Sequence, residues 1–280
     1  TLTINAASEV EISHFTAENS NVTITALSTD ANMTTSTDDA NGGGGYTGRT
    51  LSFIGGDDRH TLQLLVWGDI VILNDENDLS EVHSADVFTL TDATATIVSA
   101  DGGLNSDSVH DTWTITNSTL SVTVQNSADI GEGGTFTNSD VCFLMHTGGF
   151  TANDSETNKD TCEGDSVIEG RDESELNLVH TTLLVQAAAD IEISHLKLDD
   201  SVATLSSLAD ATGESLAYGA TATAGGAFIS RTIDVVNSAL MLDIWGDVTI
   251  ANDENDGEAF HDDNDVLTVY SDGTSAEVDW

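Results

Sequence analysis

The chain has 280 residues, with 49 acidic against 6 basic side chains, a formal net charge of −43 at pH 7 and a hydrophobic fraction of 39%. The ordinary hydrophobic fraction argues against disorder, and the excess of carboxylates argues against nucleic acid as a partner, because phosphates would be repelled. We expect a folded protein with an acidic surface, as in halophilic proteins, that needs salt or bound cations to relieve its self-repulsion.

The sequence has no secretory signal and no apolar run of transmembrane length, and it begins at Thr1 rather than Met. This pattern predicts a processed protein, secreted to the cell surface and not inserted in a membrane. Cys142 and Cys162 flank a polar segment, and a disulfide between them would add about 3 kcal/mol of stability; two unrelated thiols are the alternative. Four sequons predict N-glycosylation, at Asn21, Asn32, Asn117 and Asn153.

The chain opens with a segment, Thr1–Phe15, that returns in a similar form at Thr182–Leu196. Its alternation of Val and Ile with Glu predicts a half-buried β-strand. The strongest repeated motif is Trp67–Asp78, which recurs almost unchanged as Trp245–Asp256 and predicts a strand that leads into an acidic turn. We expect Trp67 and Trp245 to be core aromatics.

A shorter repeat, of about 60 residues, underlies the long one. Its units begin with a small residue and Leu, at Thr1, Thr61, Thr119, Thr182 and Ala239. An alternating strand precedes four of these starts, so each unit reads as a strand, a short turn and a return strand, which is the pattern of a hairpin.

The predicted fold is all-β, a tandem repeat of strand-turn-strand units that is either β-solenoid-like or two related β-sandwich halves. The first half covers residues 1–118, a divergent unit with the cysteine loop covers 119–181, and the second half covers 182–280. The only segment that could form one or two helical turns is Ala203–Ala217.

The first strand lacks the partner strand that precedes the other units. Since an unpaired apolar edge recruits another chain, we expect this strand to pair with a neighbouring subunit through Thr1, Leu2, Thr3 and Ile4. The alternative is that it packs only on its own domain.

The two acidic turns are candidate Ca²⁺ sites, because Ca²⁺ takes six to eight oxygen ligands from carboxylates and amides. The candidate ligands are Asn74, Asp75, Glu76, Asn77 and Asp78, with Asn252, Asp253, Glu254, Asn255 and Asp256 in the second copy. The match to an EF-hand loop is only partial, and solvated turns are the competing interpretation. Histidines also recur in pairs, such as His14 with His195, and stacked imidazoles could form a zinc site or a pH switch. No metal-ligand spacing is present, so solvent-facing strand ends are favoured.

No nucleophile elbow, phosphate loop or cysteine with an adjacent base is present, so an enzyme is not expected. The sequence favours an extracellular structural protein that self-assembles by strand pairing into a filament, sheath or surface layer, with an amyloid-like stack as one form. The alternatives are a calcium-dependent adhesin or a viral capsid or fibre subunit and, less favoured, a β-helical enzyme acting on polysaccharide.

Overall fold

The computed structural model describes residues 1–28, 42–56, 60–73, 85–106, 111–131, 133–152, 175–251, 266–271 and 276–279. These residues form strands and no helix. In chain order the strands are β1 (Leu2–Ala6), β2 (Val10–Glu18), β3 (Val22–Ala26), β4 (Tyr46–Ile54), β5 (Thr61–Val66), β6 (Ile70–Ile72), β7 (Ala85–Thr91), β8 (Thr94–Ser99), β9 (Leu104–Asn105), β10 (Asp111–Thr116), β11 (Thr119–Val124), β12 (Ala128–Asp129), β13 (Gly133–Thr137), β14 (Asp140–Met145), β15 (Phe150–Ala152), β16 (Glu175–Val179), β17 (Thr182–Ala187), β18 (Ile191–Asp199), β19 (Val202–Ser207), β20 (Phe228–Val236), β21 (Ala239–Ile244), β22 (Val248–Ala251), β23 (Val266–Ser271) and β24 (Ala276–Asp279).

The strands form two large parallel sheets. The ten-stranded sheet has the order β1-β3-β5-β8-β11-β14-β17-β19-β21-β23, and the remaining strands form a fourteen-stranded sheet. After each strand of the smaller sheet the chain enters one or two strands of the larger one and then returns. We call one strand of the ten-stranded sheet, with the strand or strands that follow it in the larger sheet, a rung.

The all-β class is confirmed, but the predicted hairpins are wrong. The strands on either side of each short turn, such as β10 and β11, lie in different sheets, and each pairs in parallel with strands of neighbouring rungs. The physical reason is the turn residue, Asn117, whose φ of 50° directs the chain away from β10 and into the other sheet. Asn and Asp tolerate this left-handed conformation better than most other residues do.

The predicted repeat starts account for every second strand of the ten-stranded sheet. They coincide with β1, β5, β11, β17 and β21, and the strands between them were not predicted as starts. The intervening strands pair in the same register but begin with different residues, for example Val22 of β3 and Asp140 of β14. The proposed helical turns in Ala203–Ala217 are also wrong, because Ala203 to Ser207 belong to β19.

The core lies between the two sheets and is built mainly by alternation along the strands, although β3, β5, β18 and β19 also bury consecutive residues. In β11, Leu120, Val122 and Val124 are buried, while the residues between them face outward. Consecutive rungs place these apolar side chains in register, so one buried cluster extends from Val10 to Ile250.

Buried hydroxyl groups form a ladder along one corner of the fold. At this corner a residue with φ between 46° and 50° is followed by Ser or Thr in five successive rungs. The hydroxyl-bearing residues are Ser118, Ser139, Thr181, Ser201 and Ser238. Each hydroxyl donates to the carbonyl two residues earlier and accepts the backbone N–H of the preceding rung, as in Ser118 N to Ser139 Oγ at 3.2 Å. The ladder satisfies backbone groups that the corner removes from both sheets.

We expect Ser139→Ala to lower the free energy of unfolding by about 2 kcal/mol, since the buried N–H of Ser118 would lose its acceptor. Ser139→Thr is the matched control, because Thr181 occupies the equivalent position. Urea unfolding of both variants measures the difference. Equal loss in the two variants would mean that the hydroxyl has no role.

Tyr46 is fully buried at the start of β4, and its hydroxyl finds no hydrogen-bond partner among the described residues. Burial raises the pKa of Tyr46 from 10.0 to about 12. Because the pKa of Tyr46 is higher in the folded state, folding favours the protonated phenol. The stability that depends on this protonation is fully present below pH 10 and is lost as the pH rises through 12.

The free energy of unfolding of the wild type, measured in urea, should therefore fall by up to about 1.4 kcal/mol per pH unit between pH 10 and 12 because of Tyr46. The Tyr46→Phe variant lacks this dependence, and at pH 7 it should be more stable by about 1 kcal/mol, because an unsatisfied buried hydroxyl is removed. Parallel pH profiles for the two proteins would contradict this assignment.

Candidate functional site

The predicted assembly strand is an edge strand. β1 is the first strand of the ten-stranded sheet and, among the described residues, pairs only with β3, in parallel, from Leu2 opposite Val22 to Ala6 opposite Ala26. Leu2 N donates to Asn21 O at 2.9 Å. Because donors alternate along a parallel strand, the N–H groups of Thr3 and Asn5 point to the open side.

β1 is already shaped as a regular strand of the sheet. Thr25 Oγ1 donates to Asn5 Oδ1 at 2.7 Å across the β1–β3 pair, and Ile4 packs against the core. The strand contains no charged side chain and no proline. Proteins commonly use charge or proline to protect an exposed edge from pairing, and β1 has neither.

Both sheets end at the two ends of the stack of rungs. At one end, β1 pairs only with β3 and β2 only with β4; at the other, β23 pairs only with β21 and β24 only with β22, within the described residues. All of these ladders are parallel. If the last strands of one copy were placed against the first strands of a second copy, the strands of both would run in the same direction, and the parallel pairing would continue.

Acidic side chains are dispersed along the outer surface of the larger sheet. One column of outward positions runs in register through Glu11, Thr47, Val71, Asn105, Asp129, Thr151, Glu192 and Ile229. No two carboxylates are neighbours in this column. Like charges on adjacent strands are destabilising, so the spacing limits the repulsion between rungs.

The candidate Ca²⁺ ligands lie outside the described residues, both in 74–78 and in 252–256. In the part of the chain that the structure describes, no group of three or more His, Cys, Asp or Glu side chains could hold a metal ion. Calcium binding by the acidic turns thus stays a prediction.

The remaining predicted sites are only partly described. Cys142 lies half-buried on β14, where burial raises the pKa of its thiol, but Cys162 lies outside the described residues. Of the sequons, Asn21 is exposed and accepts from Thr61 N at 3.0 Å, and Asn117 Nδ2 donates to Asp92 Oδ1 at 3.2 Å. The sequons at Asn32 and Asn153 lie outside the described residues.

The repeated histidines share a type of hydrogen-bond partner but differ in burial, since His14 is exposed and His195 is buried. The expectation of solvent-facing strand ends is wrong for His195, and both residues lie inside their strands, β2 and β18. His14 Nδ1 lies 3.0 Å from Thr50 Oγ1, and His195 Nδ1 lies 2.6 Å from Thr232 Oγ1. Each threonine occupies the neighbouring strand, opposite the histidine. The pairs therefore hydrogen-bond across adjacent rungs of the larger sheet.

The prediction that Trp67 and Trp245 are core residues is wrong. Both are half-exposed and directly follow a strand of the ten-stranded sheet. The buried tryptophan is Trp113, which stacks on Phe88 with ring centroids 4.3 Å apart. The Trp-Gly-Asp motif recurs because it forms a corner, where Asp69 Oδ1 accepts Gly103 N at 2.9 Å from the next rung.

Comparisons with protein-family models, with curated proteins and with solved structures find no match for this chain. Within the described residues no helix has the length and apolar character needed to cross a membrane.

Proposed function

We propose that this protein is a β-solenoid and an extracellular structural subunit that polymerises end to end into a filament, sheath or surface layer. In this proposal the first rung of one copy stacks on the last rung of the next, and parallel strand pairing continues from subunit to subunit. The observation that carries the proposal is the uncharged open edge of β1, already in the register of the internal strands.

The charge of the chain fits a cation-dependent assembly. With a net charge of −43, two copies repel each other until salt or bound cations screen them, and the Debye length falls from about 10 Å at 0.1 M to about 3 Å at 1 M salt. Ca²⁺ at the acidic turns would neutralise charge locally. We therefore propose a secreted protein that assembles in a saline or calcium-rich setting.

The test is Thr3→Pro. This substitution removes an N–H that points to the open side of β1 while it leaves the Leu2 N to Asn21 O bond intact. We expect assembly to be lost, with the monomer fold retained, by light scattering and negative-stain electron microscopy. Thr3→Val keeps the N–H and is the matched control.

The proposal fails if Thr3→Pro assembles like Thr3→Val. Circular dichroism of the two variants shows whether both remain folded, so a loss of assembly is not confused with a loss of structure.

A specific observation favours an adhesin as the second candidate. Three neighbouring strands of the larger sheet, β7, β10 and β13, each carry a Thr-x-Thr triplet, and the triplets are in register. They place Thr89, Thr114 and Thr135 in one outer column and Thr91, Thr116 and Thr137 in the next. A flat, uncharged array of hydroxyl and methyl groups suits a regular surface such as a crystalline polysaccharide. Uniform monomers that bind such a surface would favour this candidate.

A further inference from the structure

The outward side chains of the ten-stranded sheet from β1 to β21 form a surface that we call the outer face. Only two of these side chains are charged, Asp140 and Asp243. Asp243 accepts the backbone N–H of Gly219, which belongs to the segment between β19 and β20. The central column of the outer face runs in register from Thr3 through Ser121 to Met241 without a charged residue.

This neutrality contrasts with the overall charge of the chain and with a column of the larger sheet. The chain has 49 acidic residues, and the outer surface of the larger sheet carries Glu11, Asp129 and Glu192 in a single column. The outer face also exposes apolar side chains: Val202 is 40% exposed, and Leu184 and Met241 are half-buried.

We propose that the outer face is a lateral docking surface for a second copy of this chain, which presents its own outer face. Two strongly acidic molecules can approach most closely where neither brings carboxylates into the contact, and the central column of the outer face meets this condition over nine strands, whereas the uncharged threonine array of the larger sheet covers only three. A two-fold axis lets the same surface serve both copies.

The free part of the outer face has the size of a weak contact. One of its three columns is covered, because Ser206, Thr25 and Leu65 are buried and Gly219 and Leu216 bond to Asp243 and Ser206. The two other columns, about 10 Å wide over nine strands at a spacing of about 4.8 Å, give about 400 Å² per copy. Pairing two such faces buries about 800 Å² in total, the size of a weak protein interface. A contact of this size suits lateral pairing that becomes firm only when charge repulsion is screened.

This inference goes beyond end-to-end polymerisation, because it concerns the sides of the stack and not its ends. It predicts filaments two solenoids wide and, when end-to-end growth is blocked, pairs of chains in solution. The Thr3→Pro variant supplies that background, since its substitution lies on an open strand edge. Thr3 is also the first residue of the central column, but every variant compared carries the same substitution.

The test compares Val202→Glu with Ile229→Glu in the Thr3→Pro background. Val202 lies on the outer face and is 40% exposed, whereas Ile229 lies on the larger sheet and is 42% exposed. Each variant adds one carboxylate at an exposed apolar position, so the two are matched in added charge and exposure. Because Ile229 lies opposite Glu192, urea unfolding of both variants checks that each stays folded. Sedimentation velocity of the full chain in 1 M salt measures the dimer dissociation constant.

We expect Val202→Glu to weaken pairing at least tenfold and Ile229→Glu to leave it unchanged, with Leu184→Glu behaving like Val202→Glu. A parent that stays monomeric in 1 M salt would overturn the inference, as would equal effects of Val202→Glu and Ile229→Glu. Wild-type pairs without filaments would refute end-to-end growth and leave lateral pairing intact. Filaments one solenoid wide would refute lateral pairing and leave end-to-end growth intact.

Discussion

Trp113→Ala should lower the free energy of unfolding by about 4 kcal/mol, the largest effect of any single truncation in this chain. Trp113 is fully buried, stacks on Phe88, and lies 6.1 Å from Phe143 between ring centroids. Its Nε1 donates to Ser106 Oγ at 2.9 Å. The substitution would leave a large cavity among three rungs and remove the donor to a buried hydroxyl. Urea unfolding followed by circular dichroism measures the loss.

The matched control is Trp245→Ala, which removes the same side chain from a half-exposed corner. We expect this variant to lose less than half as much stability as Trp113→Ala. If the two losses were equal, the burial of Trp113 would not be the cause of its effect.

Gly102→Ala should cost about 3 kcal/mol, because no room exists for a β-carbon at this corner. An added Cβ would lie 2.5 Å from Asp69 N and 2.5 Å from Gly68 C, both backbone atoms of the preceding rung. Backbone atoms cannot rotate aside as a flexible side chain can, so neighbouring rungs would have to separate. Thermal and urea unfolding both report the loss.

Gly68→Ala is the control at the same corner. Its added Cβ would meet no atom closer than 3.4 Å, an ordinary van der Waals distance, and we expect a change of less than about 1 kcal/mol. A loss at Gly68 as large as that at Gly102 would contradict the close approach of successive rungs.

The strands themselves could be predicted from the sequence, since alternation is a local signal. The segments around Val10, Leu120 and Leu240 are strands with the expected buried positions. The partner of each strand could not be predicted in this way. An alternating segment followed by an Asn-Ser turn is compatible with a hairpin or with a corner, and the two differ in the φ of one residue, such as Asn117.

Repetition was a good guide to backbone geometry and a poor guide to burial. The Trp-Gly-Asp motif recurs because its Gly and Asp form a tight corner, whereas the tryptophan itself stays half-exposed. Trp113, which occurs in a single unit, is the residue in the core. The hydroxyl ladder was also missed, although its signal is present in the sequence as an Asn, Asp or His followed by Ser or Thr just before strands such as β11 and β17.

Of the candidate site, the sequence predicted a first strand without a partner, but the reason given, a missing hairpin strand, is wrong, since neighbouring strands along the chain lie in different sheets. β1 does lie at the edge of its sheet. The neutrality of the outer face could not be predicted, because it depends on which strands are neighbours in space. Thr96, Ser121 and Cys142 are far apart in sequence yet adjacent in one column.

The most direct test of end-to-end stacking is fibre diffraction and negative-stain electron microscopy of the purified chain in 1 M salt, with and without millimolar calcium. Polymerisation by strand pairing predicts filaments with a repeat of about 4.8 Å along the filament axis, because the strands run across it. Growth that depends on calcium would assign a role to the acidic turns. Uniform monomers in every condition, or filaments without the strand repeat along the axis, would contradict end-to-end stacking.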